Sequence, residues 1–174
     1  MAIVEELKQT IKALETKVQV LEDVIAIDKL KSRYAQIADS RQFAKGDADR
    51  EAIATAMADL FTEDGIWDGG ELFGTHRGRQ AIHDYFYKPG WKLALHYVMN
   101  SHIDIEGNKA RGQWYFLLAG TTKDNIAVWM GGSYDDQYEK INGRWFIKVV
   151  KPTFLFLTPY EDGWVKARFI SMKR

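Results

Sequence analysis

Apolar residues return every three and four positions at the start of the chain: Val4, Leu7, Ile11, Leu14, Val18, Leu21 and Ile25. That spacing is the a/d seam of a heptad repeat. Its a positions are β-branched and its d positions are all Leu, a choice that favours a parallel two-stranded coil. Residues 1–25 are therefore expected to form an amphipathic or coiled-coil helix, either an association arm or a helix laid on its own domain. The helical pattern runs on through Ile27, Leu30, Tyr34 and Ile37 to about Ala38. A polar stretch from Ser40 to Glu51 follows, broken by Gly46. A second helix is predicted over residues 50–61, closed by Phe61-Thr-Glu-Asp-Gly65 with Gly65 as its terminal glycine. Residues 66–73 read as a short strand pair around Gly69-Gly70. Residues 79–87 read as a third helix, stopped by Lys88-Pro89-Gly90.

The second half of the chain switches to period two. Strands are predicted over 94–106, 109–120, 126–141 and 144–156, with hairpin turns at Gly107-Asn108 and Asn142-Gly143. The pair Gly131-Gly132 points to a bulge or a close backbone approach. Beyond Pro159 the pattern assigns no element. Helices first and a long antiparallel meander last define an α+β domain over residues 26–174. Its helices cover one face of a curved sheet, and a pocket lies between the two.

Composition narrows the function classes. Lys and Arg number 24, Asp and Glu number 24, and the formal net charge is zero. With no overall basic field, nucleic acid and anionic membrane are not expected partners. Cysteine is absent, which removes disulfides, thiol nucleophiles and thiolate metal sites together. No apolar run is long enough to span a bilayer, and the first residues lack a signal peptide pattern, so a cytoplasmic protein is expected. Aromatic residues make up 13% of the chain. P-loop, dinucleotide and nucleophile-elbow motifs do not occur.

The histidines are His76, His83, His96 and His102, with no metal-ligand spacing among them. His76 falls in a turn, and His83 lies on a polar helix and is expected to be exposed. His96 and His102 share parity on one strand and face the same side if that strand is unbulged. Asp39 sits at the end of the first helix, against the negative end of its dipole, and so calls for a charge partner.

Several short segments together resemble the SnoaL-like branch of the nuclear-transport-factor-2-like (NTF2-like) superfamily. They are Ile27-Asp-Lys-Leu30, Tyr34, Asp39, Phe61-Thr-Glu-Asp-Gly-Ile-Trp67, Gly74-x-x-x-Gly78 and His96-Tyr-x-x-Asn100. On the sheet, Gly131-Gly-Ser-Tyr134, Tyr138-Glu139, Gly143-x-Trp145 and Thr158-Pro159 add to them. The likeness runs from about residue 26 to 160. It implies an α+β, cystatin-like cone with a curved antiparallel sheet wrapped on helices, extended at its N-terminus by the heptad helix. The branch includes hexachlorocyclohexane dehydrochlorinase, bile acid 7α-dehydratase and scytalone dehydratase, which are lyases built on an Asp–His dyad.

The resemblance implies a cofactor-independent lyase with no metal. His96 matches the base, Asp39 its orienting carboxylate, and Tyr34 a hydrogen-bond donor. Lys151 is a departure from the branch; facing the pocket it would stabilise charge on oxygen, and a bulge would turn it outward. Proton abstraction would be coupled to departure of water, halide or a carbon fragment such as formaldehyde. Trp67, Tyr97, Asn100, Trp114, Phe116, Tyr134, Val149 and Thr153 are the expected substrate contacts. They suit a small, flat hydrophobic substrate, aromatic or steroid-like, as in aromatic compound catabolism. The other class of function is a non-catalytic ligand-binding or assembly module on the same fold. The Asp39–His96 pair separates the two, because a pure binder has little use for it. A homo-oligomer is expected, a dimer from the heptads and a trimer from the resemblance.

Overall fold

The heptad pattern folds as one uninterrupted helix, α1 (Ala2–Ser40), of 39 residues. At 1.5 Å per residue it is about 58 Å long. The structure, a computed structural model, describes residues 2–170. The last four residues of the domain expected to run to Arg174 lie outside the described residues. The two ends of α1 have different surroundings. Its C-terminal part buries Ile27, Lys31, Tyr34, Ala35 and Ala38 against the sheet. Among the described residues the seam from Val4 to Ile25 covers nothing, and each of its seven apolar residues is 52–62% exposed.

Asp23 marks the changeover. Its carboxylate accepts Lys140 Nζ at 2.7 Å and Trp145 Nε1 at 2.9 Å. Burial works to raise its pKa, but those bonds outweigh burial and hold the carboxyl below its ordinary value.

The remaining helices are α2 (Asp47–Ala58), the single turn α3 (Gly70–Phe73), α4 (Arg79–Tyr87) and the short α5 (Gly163–Lys166). The strands are β1 (Phe61–Asp68), β2 (Thr75–Arg77), β3 (Leu93–Glu106), β4 (Lys109–Thr121), β5 (Ala127–Ile141), β6 (Arg144–Val150) and β7 (Pro152–Pro159). They form one curved sheet in the order β2-β1-β6-β5-β4-β3, with β7 pairing the first part of β5. The sheet is mixed, because β1 runs parallel to β6. No helix among the described residues is long and apolar enough to cross a membrane.

Three expectations change here. Helix α2 ends at Ala58, and Phe61-Thr-Glu-Asp-Gly65 is a bulged start to β1 rather than a helix stop. Phe61 pairs with Ile147 of β6, so tertiary pairing overrides the local helical signal. The strand pair expected at residues 66–73 is instead β1, the α3 turn and β2. The expected fourth strand breaks at Lys151 into β6 and β7, which pair with the two halves of β5. Gly132 allows this crowding, since a Cβ there would lie 1.9 Å from the carbonyl oxygen of Thr153.

The hairpin reading at Asn142-Gly143 matches the structure. Both residues have positive φ, 50° and 80°, as a tight two-residue turn requires.

Candidate active site

The polar site forms where α1 ends beside β3. Gln42 Nε2, on the 3₁₀ turn Arg41–Phe43, donates to the carbonyls of Asp39 at 3.0 Å and Ala94 at 2.9 Å. That bracket fixes the helix end against the strand. The Asp39 carboxylate accepts His96 Nδ1–H at 2.5 Å, and both its oxygens lie 3.2 Å from the His96 main-chain N–H. The carboxylate at the unfavourable end of the helix dipole thus has its partner. With Nδ1 donating to Asp39, the ring lone pair sits on Nε2. Nε2 has no hydrogen-bond partner among the described residues, and His96 lines the cavity between helices and sheet.

That cavity has a volume of about 260 Å³. Tyr34, Trp67 and Tyr134 line it together with His96. Trp67 Nε1 donates to the Tyr34 hydroxyl at 2.7 Å. The hydroxyl therefore keeps its own proton to donate to a bound oxygen or halogen. Burial raises the Tyr34 phenol above its ordinary value, so it remains protonated. Its ring stands edge-on to Phe86 and Tyr134, at 6.5 and 6.4 Å between centroids.

The other sequence-predicted contacts fall elsewhere, and bulges explain most of the differences. On β3 the inward residues are Ala94, His96 and Val98, which leaves Tyr97 on the outer face at 49% exposure. The β3–β4 register shifts between Met99 and His102, and Asn100 takes a φ of 57°. Asn100 is exposed, and after the shift Ile103 and Ile105 face inward while His102 faces solvent. On β6 Trp145 and Ile147 face the core, but Tyr138 pairs with Ile147 and Gln137 with Val149, so Lys148 is an extra residue. Parity reverses at that point. Val150, Pro152 and Phe154 turn inward, and Lys151 and Thr153 are exposed. Val149 is half-buried on the outer side and does not line the cavity.

Trp114 and Phe116 do face inward, but too deep to line the cavity. Phe116 backs the lining ring of Tyr134 at 4.8 Å, and Trp114 packs on Tyr138 at 5.8 Å. His83, expected to be exposed, is half-buried and bonds Glu51 at 3.2 Å.

Against the rings of Tyr34 and Tyr134 lies a buried ion pair that sequence reading passed over. Lys31 Nζ meets Asp136 Oδ2 at 2.7 Å, and the two side chains are 1% and 0% exposed. The signal was present, since Lys31 lies four residues after Ile27 and three before Tyr34 on the buried helix face. Arg41, Trp91 and Phe154 also line the cavity unannounced. Arg41 lies inside the polar stretch from Ser40 to Glu51, and Phe154 is hidden by the parity reversal.

Solved structures that share this fold include the following three. A hexachlorocyclohexane dehydrochlorinase of the LinA type from Novosphingobium barchaimii is 22% identical, with a TM-score of 0.70 over 82% of this chain and 93% of its own. A scytalone dehydratase-like protein from Novosphingobium aromaticivorans is 20% identical, with a TM-score of 0.68 over 91% of this chain and 99% of its own. An NTF2-like protein with a cystatin-like fold, from the same organism, is 20% identical and has a TM-score of 0.60 over 82% of this chain and 88% of its own. The model of the SnoaL-like domain matches residues 19–151, from the helix turn before Asp23 to the end of β6, and the chain belongs to that family.

Proposed function

We propose that the protein is a cofactor-independent lyase acting on a small aromatic substrate, with His96 as its base. The observation that carries this reading is the 2.5 Å Asp39–His96 contact, with Nε2 left free at the wall of an aromatic cavity. The dehydrochlorinase and dehydratase likeness supports it. Nε2 would take a proton from the substrate, and the electron pair of that bond would expel the leaving group from the neighbouring atom. Asp39 stabilises the imidazolium that forms, and Tyr34 O–H hydrogen-bonds the departing or developing anion. The same base could instead take the proton of a hydroxymethyl O–H: the new C=O departs as formaldehyde, and the electron pair of the broken carbon–carbon bond expels hydroxide or halide from the neighbouring carbon.

The cavity size favours a single substituted ring. An apolar cavity of about 150 Å³ accommodates benzene, whereas a steroid would project from the mouth of this one, at about 260 Å³.

The test is a panel of phenyl-substituted compounds identical but for the leaving group: hydroxyl, chloride or hydroxymethyl. Conjugated product, free chloride and formaldehyde are followed in parallel. One series is expected to turn over, and Tyr34→Phe is expected to slow it by about 10–100-fold. Ligand binding without turnover across the panel would instead make this a binding module.

A further inference from the structure

We infer that the cavity selects an aromatic substrate bearing a carboxylate, and that Arg41 receives it. This deepens the lyase reading and rests on it for the word substrate, but the binding it predicts is measurable without turnover. Arg41 is held at the cavity wall by donation from Nη2 to the Lys88 carbonyl at 2.7 Å. Its guanidinium lies over the rings of Tyr85 and Phe86, at 5.6 and 5.1 Å. Among the described residues, Arg41 Nε alone is a buried side-chain polar atom with no hydrogen-bond partner. Among the described residues no carboxylate pairs with it, since Asp39 is engaged by His96.

The charged side chains that line the cavity have one sign. Lys88 and Lys123 join Arg41 in the lining, and no Asp or Glu does. Asp84 lies near enough to Lys88 to offset it in part. In a chain of zero net charge this local excess is informative. A guanidinium that lines the cavity and lies over aromatic rings, with no carboxylate on it, matches a flat arene that ends in a carboxylate.

The probes are para-methylbenzoate and its neutral isostere para-methylbenzamide, titrated into the full chain by calorimetry and by fluorescence of the cavity tryptophans Trp67 and Trp91. The carboxylate is expected to bind about tenfold to a hundredfold more tightly. Arg41→Gln should remove that preference while leaving the amide's affinity unchanged, and Arg41→Lys should retain part of it. Equal affinities in the wild-type protein, or binding of neither probe, would overturn the inference. So would an unchanged preference in Arg41→Gln. If neutral arenes turn over but carboxylates are not preferred, the carboxylate claim falls alone. If carboxylates bind and nothing turns over, the lyase reading falls alone.

A second surface carries its own inference. The geometry points to a parallel two-stranded coiled coil between the α1 arms of two copies. Asp23, which pins α1 to the domain, occupies heptad position f, opposite the a/d seam, so docking leaves the seam outward. Seven apolar residues at 52–62% exposure await a cover. The charged pair between position g and the partner's e, Lys17 with Glu22, is opposite in sign.

The native chain has no cysteine, so Leu7→Cys is an unambiguous reporter. Oxidation should cross-link it in the parallel register, where each Leu7 meets its counterpart. Sedimentation should give a dimer that Leu14→Glu dissociates. A mass unaffected by Leu14→Glu, or a trimer held by the arm, would overturn the proposal. Unaffected mass would shift association to the outer face of β3 and β4, where Tyr97, Met99 and Tyr115 are exposed.

Discussion

Alanine at His96 is expected to lower kcat/KM on a substrate found by the leaving-group panel by about 10²–10⁴-fold, the usual contribution of a positioned general base. Substrate affinity should change far less, because the ring is one element of a wall built mainly by aromatic residues. Added imidazole should restore part of the rate in His96→Ala, since Asp39 remains to orient a ring placed in the gap. In His96→Ala/Asp39→Asn that rescue should fail. Asp39→Asn alone should fall by about 10²-fold or more, because a neutral amide cannot stabilise an imidazolium as a carboxylate does. A merely structural role for Asp39 would show as lost thermal stability with a normal rate in the remaining folded protein. Near-full activity of His96→Ala would remove it as the base.

The pieces of this site were unequally legible. Asp39 was readable because a carboxylate at a helix C-terminus is a local conflict, and such conflicts often mark function. The two long hairpins were readable because turn chemistry is local. Tyr97 faces outward by simple alternation from His96, whereas Asn100, Lys151 and Thr153 were misplaced for a single physical reason. Alternation along a strand holds only while the register holds, and one extra residue exchanges its faces. The shift near Asn100 and the extra Lys148 are set by pairing with β4 and β5. Such pairing has no strong local signature. The glycine pair Gly131-Gly132 did announce a bulge, and it lies on the strand beside the break at Lys151. Lys31 shows the opposite failure. Its place on the buried helix face was plain from spacing, but a lysine there is credible only once Asp136 is seen across the fold.

That pair is the site of the largest expected stability effect. Asp136→Asn should cost about 3–5 kcal/mol in denaturant unfolding, because it strands the Lys31 ammonium where water cannot reach it. The asparagine carbonyl can still accept the Lys151 main-chain N–H, bonded at 3.0 Å in the native protein. The losses fall on Oδ2, which accepts both the Lys31 ammonium and the Tyr138 hydroxyl, the latter at 3.1 Å. Burial already pulls Lys31 below its ordinary value, and Asp136 opposes that pull. Without Asp136 the folded protein should hold Lys31 neutral, while the unfolded chain still binds its proton. More protons in the unfolded state mean that stability rises with pH. The defect in Asp136→Asn should thus shrink as pH climbs toward the lysine range near about 10. Adding Lys31→Met should recover more than half of the loss and remove its pH dependence. A flat pH response in the single variant would show that the ammonium keeps its charge without Asp136. The rings around Lys31 could then be its support, since Nζ lies 3.2 Å from the Tyr134 centroid and 4.7 Å from that of Tyr34. Those two tyrosines line the cavity. The ion pair therefore backs two rings of the pocket wall, and substrate affinity should weaken with stability in Asp136→Asn and return with it in the double variant.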